Sequence, residues 1–310
     1  LLLPTLSDLL VREGRRLAVA GSGSPGSTIL WTRTHPYRVV NPRTAYGLPD
    51  LYALRAKLGD PPEPTAPSLE LVAYAARAVT ELFLEDPEVV VTVLWLNEPD
   101  ASLHRYGLGA PEVSDVLSRL DQLLVGVLET VAARGLLDDT AVMVLSDHGH
   151  STPRSGRSLA ELLASAPAAV RQAAAPLLPA SDHLFLRPGA PRPSPAALRP
   201  LVEWLYGQPW VGAVLARAAD AVELPGTLPL DALWGDRLEE SAIGRVPVLS
   251  VDPAWSDEPN AHGIPGSVQA LTEQVALRST HGAASPYDLH AFALFLGPGM
   301  RAGEVSRLPA

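Results

Sequence analysis

Two apolar runs bracket a long amphipathic segment, and that succession narrows the folds open to this chain. Val89 to Leu96 is apolar but for Thr92 and Ala141 to Leu145 is apolar throughout; such runs, buried on both faces, mark strands of a parallel sheet covered by helices. Between them Pro111 opens a helix in which Val113, Val116, Leu117, Leu120, Leu124, Val127, Leu128 and Val131 keep a 3.6-residue period until Gly135 ends it. Strand, long helix, strand is the connection a parallel pair requires, so the sequence predicts an α/β fold with a mostly parallel sheet.

Flanking segments extend the pattern. Thr5 and Asp8 form a capping signal for a short helix that stops at Gly14, and Leu17 to Ala20 reads as a strand entering the loop Gly21-Ser22-Gly23-Ser24-Pro25-Gly26-Ser27. Loop-like sequence follows until Leu69, Val72, Ala75, Val79 and Leu82 recur at helical spacing. From Ser151 to Ala276 the sequence turns rich in Pro, Ala and Arg, with a helix expected at Ser194 to Tyr206 and a strand at Pro247 to Val251. Strand-like sequence returns at His290 to Leu296. The expected organisation is a core of residues 1–150 and 277–310 with a cap-like insertion at 151–276.

Composition excludes several function classes. The 310 residues carry 24 Lys plus Arg against 34 Asp plus Glu, so neither a nucleic-acid-binding surface nor attraction to an anionic membrane is expected. Cysteine is absent, which removes disulfides, thiolate metal sites and cysteine nucleophiles and leaves Asp, Glu and His as ligands. No window reaches about 18 uninterrupted apolar residues, the length of a membrane span. The chain opens Leu1-Leu2-Leu3-Pro4 without Met, and is expected to be a piece of a longer protein, cytoplasmic or exported.

Both apolar runs lead into metal-binding residue types. Asn97-Glu98-Pro99-Asp100-Ala101-Ser102-Leu103-His104 follows the first and Ser146-Asp147-His148-Gly149-His150 the second. In an open parallel sheet ligands sit beyond the carboxyl ends of the strands. Asp100 and His104 share a face if that turn is helical, and adjacent Asp147 and His148 can face one ion only from an irregular turn, which Gly149 permits. A third candidate, His281 in Ser279-Thr280-His281-Gly282, precedes the last strand. Each has a plainer reading alone: Asp147 as a cap with His150 facing solvent, Glu98-Pro99-Asp100 as a turn, His281 as a loop histidine bonded to backbone. Their co-occurrence favours a metal site, and oxygen and nitrogen donors without sulfur suit zinc or manganese in a catalytic role.

The ordered set Glu98-Pro99-Asp100-x-x-x-His104, Ser146-Asp147-His148-Gly149 and His281-Gly282 resembles the alkaline phosphatase superfamily, in particular its nucleotide pyrophosphatase/type I phosphodiesterase family. The resemblance implies a three-layer α/β/α sandwich with a mostly parallel central sheet and an inserted cap-like segment. It also implies two zinc ions about 3.5 to 4 Å apart that clamp a phosphoryl group, with manganese as the alternative metal. Carried over by residue, Asp100, His104 and His281 would hold one zinc, and Asp147 with His148 the other; Leu103 stands where the family usually has Gly.

The implied activity is hydrolysis of phosphate esters, with phosphodiesters or nucleotide pyrophosphates ahead of monoesters and a small-molecule phosphate ester or nucleotide as substrate. It runs through a covalent Thr or Ser phospho-enzyme. The family's remaining Asp ligand and its nucleophile are expected upstream of Leu1, so this chain alone is expected to be inactive. Ser22, Ser24 and Thr28 are hydroxyl candidates in the glycine-rich loop, but no Lys follows that loop as in a P-loop, and the resemblance places it after the nucleophile. His183 and His262 read as residues of the insertion, and Asp288 and His290 as packing or hydrogen-bonding groups. A phosphonate hydrolase, sulfatase or phosphomutase of the same superfamily, a non-catalytic metal-binding remnant, and an α/β domain with coincidental histidines are the rival readings. Specificity is expected in the insertion and in loops around Asn41 to Asp60.

Overall fold

A computed structural model describes residues 4–42, 55–230, 246–271 and 277–305; most of the Asn41 to Asp60 loop and parts of the insertion lie outside the described residues. Two compact units divide the chain: Leu1–Tyr106, Ala110–Leu145 and Phe292–Ala310 form one, Gly107–Gly109 and Ser146–Ala291 the other. In chain order the elements of the first stretch are α1 (Leu6–Arg12), β1 (Arg16–Gly21), α2 (Pro25–Leu30), β2 (Arg38–Val40), α3 (Leu69–Glu81), β3 (Val89–Trp95), α4 (Asp100–Tyr106), α5 (Pro111–Ala133) and β4 (Val142–Leu145). There follow β5 (Thr152–Gly156), α6 (Leu159–Ala164), α7 (Ala168–Ala174), β6 (Leu177–Ala180), β7 (His183–Leu186), α8 (Pro195–Tyr206) and β8 (Val211–Ala216). The remainder is α9 (Ala218–Ala221), β9 (Leu228–Pro229), β10 (Leu249–Pro253), β11 (Trp255–Ser256), β12 (Ser267–Ala270), α10 (Pro286–Leu289) and β13 (Ala293–Leu296).

In the first unit β1 is the central strand of a parallel sheet ordered β2-β1-β3. Its side chains alternate between two faces. Ala18 and Ala20 pack with Tyr74, Ala75, Ala78 and Val79 of α3; Leu17 and Val19 pack with Leu10 of α1 and with Trp31. Helices thus cover both faces of β1, which is why Leu17 to Ala20 can be apolar without alternation.

The other two apolar runs behave differently. Along β3 burial alternates and Val90 is 48% exposed, so this strand is not buried on both faces. β4 pairs antiparallel with β13, Val142 opposite Leu296 and Leu145 opposite Ala293, where the sequence predicts a parallel strand, and its Met143 and Leu145 are exposed rather than buried; an apolar run does not specify the direction of its partner. The loop-like stretch also holds α2 and β2. α2 has no apolar period, and starts because Ser24 Oγ accepts from Ser27 N at 3.2 Å with Pro25 at its first position.

The second unit contains far more regular structure than its Pro- and Arg-rich sequence suggests. A five-stranded sheet ordered β6-β7-β10-β8-β9 shares a core with α8, whose Leu198, Leu201, Val202 and Leu205 are fully buried beside Leu184, Val214 and Val251. A second sheet, β11-β12-β5, pairs β12 parallel to β5. The predicted strand at Pro247 to Val251 lies at Leu249–Pro253, and the start of the strand predicted at His290 is instead the end of a short helix capped by Ser285. Among the described residues no helix is long and apolar enough to cross a membrane.

Candidate metal-binding site

In the first unit, the turn after β3 is set by Glu98. This carboxylate is 4% exposed; it accepts from Ser68 N and Ser68 Oγ, both at 2.9 Å, and from Ser102 N at 3.0 Å. Glu98 therefore anchors the first turn of α4. Asp100 opens that helix and His104 lies four residues on, with Nε2 3.3 Å from Asp100 Oδ1. The spacing Asp-x-x-x-His places both side chains on one helical face, as the sequence suggested.

The glycine-rich loop has no hydroxyl poised for attack. Ser22 and Thr28 are fully buried. Ser22 Oγ donates to Asn97 Oδ1 at 2.6 Å, Thr28 Oγ1 accepts from Asn41 Nδ2 at 2.9 Å, and Ser24 Oγ caps α2. Gly21 is required by contact, since a Cβ there would stand 2.2 Å from Thr28 Oγ1.

In the second unit the loop after β4 meets the loop of His281. Ser151 N donates to Thr280 O at 2.8 Å and Thr280 N to Ser151 O at 2.9 Å, an isolated antiparallel bridge. Beside it the rings of His148 and His281 stack, centroids 3.7 Å apart and planes 18° from parallel, while His150 lies 5.2 Å from each. His148 Nδ1 is 2.9 Å from Gly149 O, a carbonyl that can only accept and so places a proton on that nitrogen, and Nε2 lies 3.6 Å from Asp147 Oδ1. A carbonyl partner on the second nitrogen is the usual support of a metal-binding imidazole. Imidazole nitrogen and carboxylate oxygen are donor types that can hold a divalent metal ion.

Of the predicted ligands, Asp100 and His104 stand together in one unit, and Asp147, His148 and His281 in the other. His150, read from sequence as open to solvent, is only 9% exposed, with Nδ1 3.1 Å from Ser279 Oγ; its spacing two residues beyond His148 was the available signal. Asp288, read from sequence as a packing or hydrogen-bonding group, is 3% exposed and accepts from Ser151 Oγ and, at 2.8 Å, from Ala283 N. Asp252 of β10 accepts from Ala284 N at 2.6 Å. Burial raises its carboxyl above the ordinary 3.8, despite that amide, with the neighbouring Asp182 and Asp288 charges adding to the rise. His183 belongs to β7, its Nδ1 2.9 Å from Ser250 Oγ, and His262 lies in an exposed turn whose amide donates to Asn260 Oδ1.

Several known proteins are similar to this chain. Residues 4–189 match the family described as type I phosphodiesterase / nucleotide pyrophosphatase. Human bis(5'-adenosyl)-triphosphatase ENPP4 is 37% identical over 65 residues, which are 21% of this chain and 14% of that protein. Human ectonucleotide pyrophosphatase/phosphodiesterase family member 7 is 34% identical over 70 residues, 23% of this chain and 15% of that protein. The fold is similar to that of murine ENPP5, solved as an inactive form in complex with AMP (TM-score 0.54, 16% identity, 93% of this chain), and the chain spans 62% of that protein's solved length. Wild-type alkaline phosphatase PafA is similar at TM-score 0.52 and 18% identity over 76% of this chain and 45% of its own. With an alkaline-phosphatase-like α/β fold, and with more than half its length matched, this chain belongs to the type I phosphodiesterase / nucleotide pyrophosphatase family.

Proposed function

We propose that this protein is a zinc-dependent hydrolase of phosphodiester or nucleotide pyrophosphate bonds. The observation that carries the reading is the convergence of His148, His150 and His281 beside Asp147, in a chain of this family. Asp100, His104 and His281 are assigned to one metal and Asp147 with His148 to a second; manganese would suit the same donors. Two bound dications would polarise the phosphoryl oxygens and lower the pKa of an attacking hydroxyl, so that displacement proceeds in line through a covalent Thr or Ser phospho-enzyme.

The chain's own residues prepare that site. His148 is oriented by its bond to Gly149 O, and Glu98 holds the turn that presents Asp100. Ser22, Ser24 and Thr28 are committed to internal bonds and are not assigned as the nucleophile. A nucleotide substrate is supported by the AMP bound to murine ENPP5.

The test is metal analysis of the 310-residue chain and of its Asp147→Ala, His104→Ala and His281→Ala variants. Each variant is expected to lose at least one equivalent of zinc; unchanged zinc in all three would sink the proposal. The chain itself should not turn over a bis-nitrophenyl phosphodiester, and turnover at an enzyme-like rate would overturn the placing of the nucleophile.

A further inference from the structure

His148 and His281 stand on separate loops, and one residue bonds to both loops. Asp288 Oδ1 accepts from Ser151 Oγ, Oδ2 accepts from Ala283 N at 2.8 Å, and the backbone carbonyl accepts from Gly149 N at 2.7 Å. The first and third of these bonds hold the segment that carries Asp147, His148 and His150; the second holds the segment that follows His281. Asp288 N completes the arrangement by donating to Ser285 Oγ at 3.1 Å, and that hydroxyl lies 3.2 Å from Ser151 Oγ. The next amide along the His281 loop, Ala284 N, goes to a second carboxylate, Asp252, at 2.6 Å. Consecutive amides of one loop are thus each taken by a carboxylate from a different element.

The geometry points to Asp288 as the positioning residue of the metal site. Through Ser151, Gly149 and Ala283 it fixes the distance between the loops that present His148 and His281. This inference rests on the reading of those histidines as ligands. Its physical content is that a metal needs its donors placed within a few tenths of an ångström, whereas a fold tolerates larger shifts. Outer groups that orient ligands commonly account for 10- to 100-fold in metal affinity.

Asp288→Asn keeps the volume but removes the charge and leaves one acceptor oxygen for two donors: either the Ala283 N bond is lost, or the amide oxygen keeps it and the charge-assisted Ser151 bond becomes a weaker, reversed one in which Ser151 Oγ accepts. In the 310-residue chain stripped of metal, zinc titration of this variant is expected to show about 10- to 100-fold weaker binding, and its cobalt(II) absorption spectrum should change. Ser151→Ala, which removes one of the three bonds, should show a smaller loss, and Ser151→Thr, which keeps the hydroxyl, should restore binding. Leu198→Ala, in the core of the second unit, controls for destabilisation alone: it should lower the melting temperature and leave zinc affinity unchanged.

His148→Ala separates the two levels of the argument. If it and Asp288→Asn both leave zinc affinity intact, the metal reading fails; if only His148→Ala weakens binding, the positioning role of Asp288 fails. Should Asp288→Asn not fold, the Ser151 pair decides: equal zinc affinity in Ser151→Ala and Ser151→Thr overturns the inference.

Discussion

At the scale of single residues, two glycines on this chain demand opposite treatment. Gly149 sits between His148 and His150, and a Cβ built there would stand 2.0 Å from Tyr287 O and 3.2 Å from His290 O. Its amide is meanwhile bonded to Asp288 O at 2.7 Å. Its role is close approach of two backbones; a positive φ is found instead at Gly282, at +106°. Gly126 lies inside α5 with nothing within 4 Å of an added Cβ. Gly126→Ala should therefore stabilise the chain by about 0.5–1 kcal/mol, through loss of unfolded-state freedom. Gly149→Ala must move backbone and should destabilise by roughly 2 kcal/mol or more, with loss of zinc. Thermal melts of the two variants check the signs, and an unaffected Gly149→Ala would show that the loop accommodates a side chain.

At the scale of elements, the entry to β3 shows how burial and pairing compete. Asp86 precedes the strand with its side chain only 7% exposed; Arg38 Nε of β2 donates to Asp86 Oδ2 at 2.7 Å and Tyr37 OH to the same oxygen at 2.9 Å. Burial pushes the Asp86 carboxyl up, but the bonds from Arg38, the Glu88 amide and Tyr37 outweigh it and hold the group below the ordinary 3.8. A carboxyl lowered by folding contributes stability above its unfolded value and loses that contribution as the pH falls through the folded one. Arg38→Met should cost roughly 2 kcal/mol at neutral pH, discounted because the guanidinium is 23% exposed. The gap in melting temperature between the two proteins should narrow below pH 3.8. A gap that held constant from pH 7 to pH 3 would refute the assignment.

The same scale decides what could be read from sequence. α5 and β1 were legible because a long period and a doubly buried run leave one interpretation each. The sheet of β6 to β10 was not, because strands of two to six residues that carry Pro179, Ser250 or Pro253 show neither alternation nor length. The pairing of Asp100 with His104 and of Asp147 with His148 was legible, because chemistry and spacing coincide there. The stacking of His281 on His148 was not, since it depends on the Ser151–Thr280 bridge and on Asp288, whose single carboxylate gives no periodic signal.

At the scale of the whole molecule, a formal charge of −10 opposes an anionic substrate, and bound dications are what would reverse that sign locally. A bound metal would also enter the stability of the chain by mass action, because a ligand held only by the native state adds RT ln(1 + [L]/Kd). That is about 2.7 kcal/mol at one hundred times Kd. Addition of a strong chelator should therefore lower the melting temperature by several degrees, on the order of 2–4 °C per kcal/mol for a chain of this class. The drop should be absent in His148→Ala, which already lacks the site. AMP should bind the zinc-loaded chain and not the chelated one, since without metal the net repulsion has nothing to offset it. Equal AMP binding in both states would place nucleotide recognition on side chains other than the Asp and His set. A chelator-insensitive melt would leave the stacked histidines as a feature of packing alone.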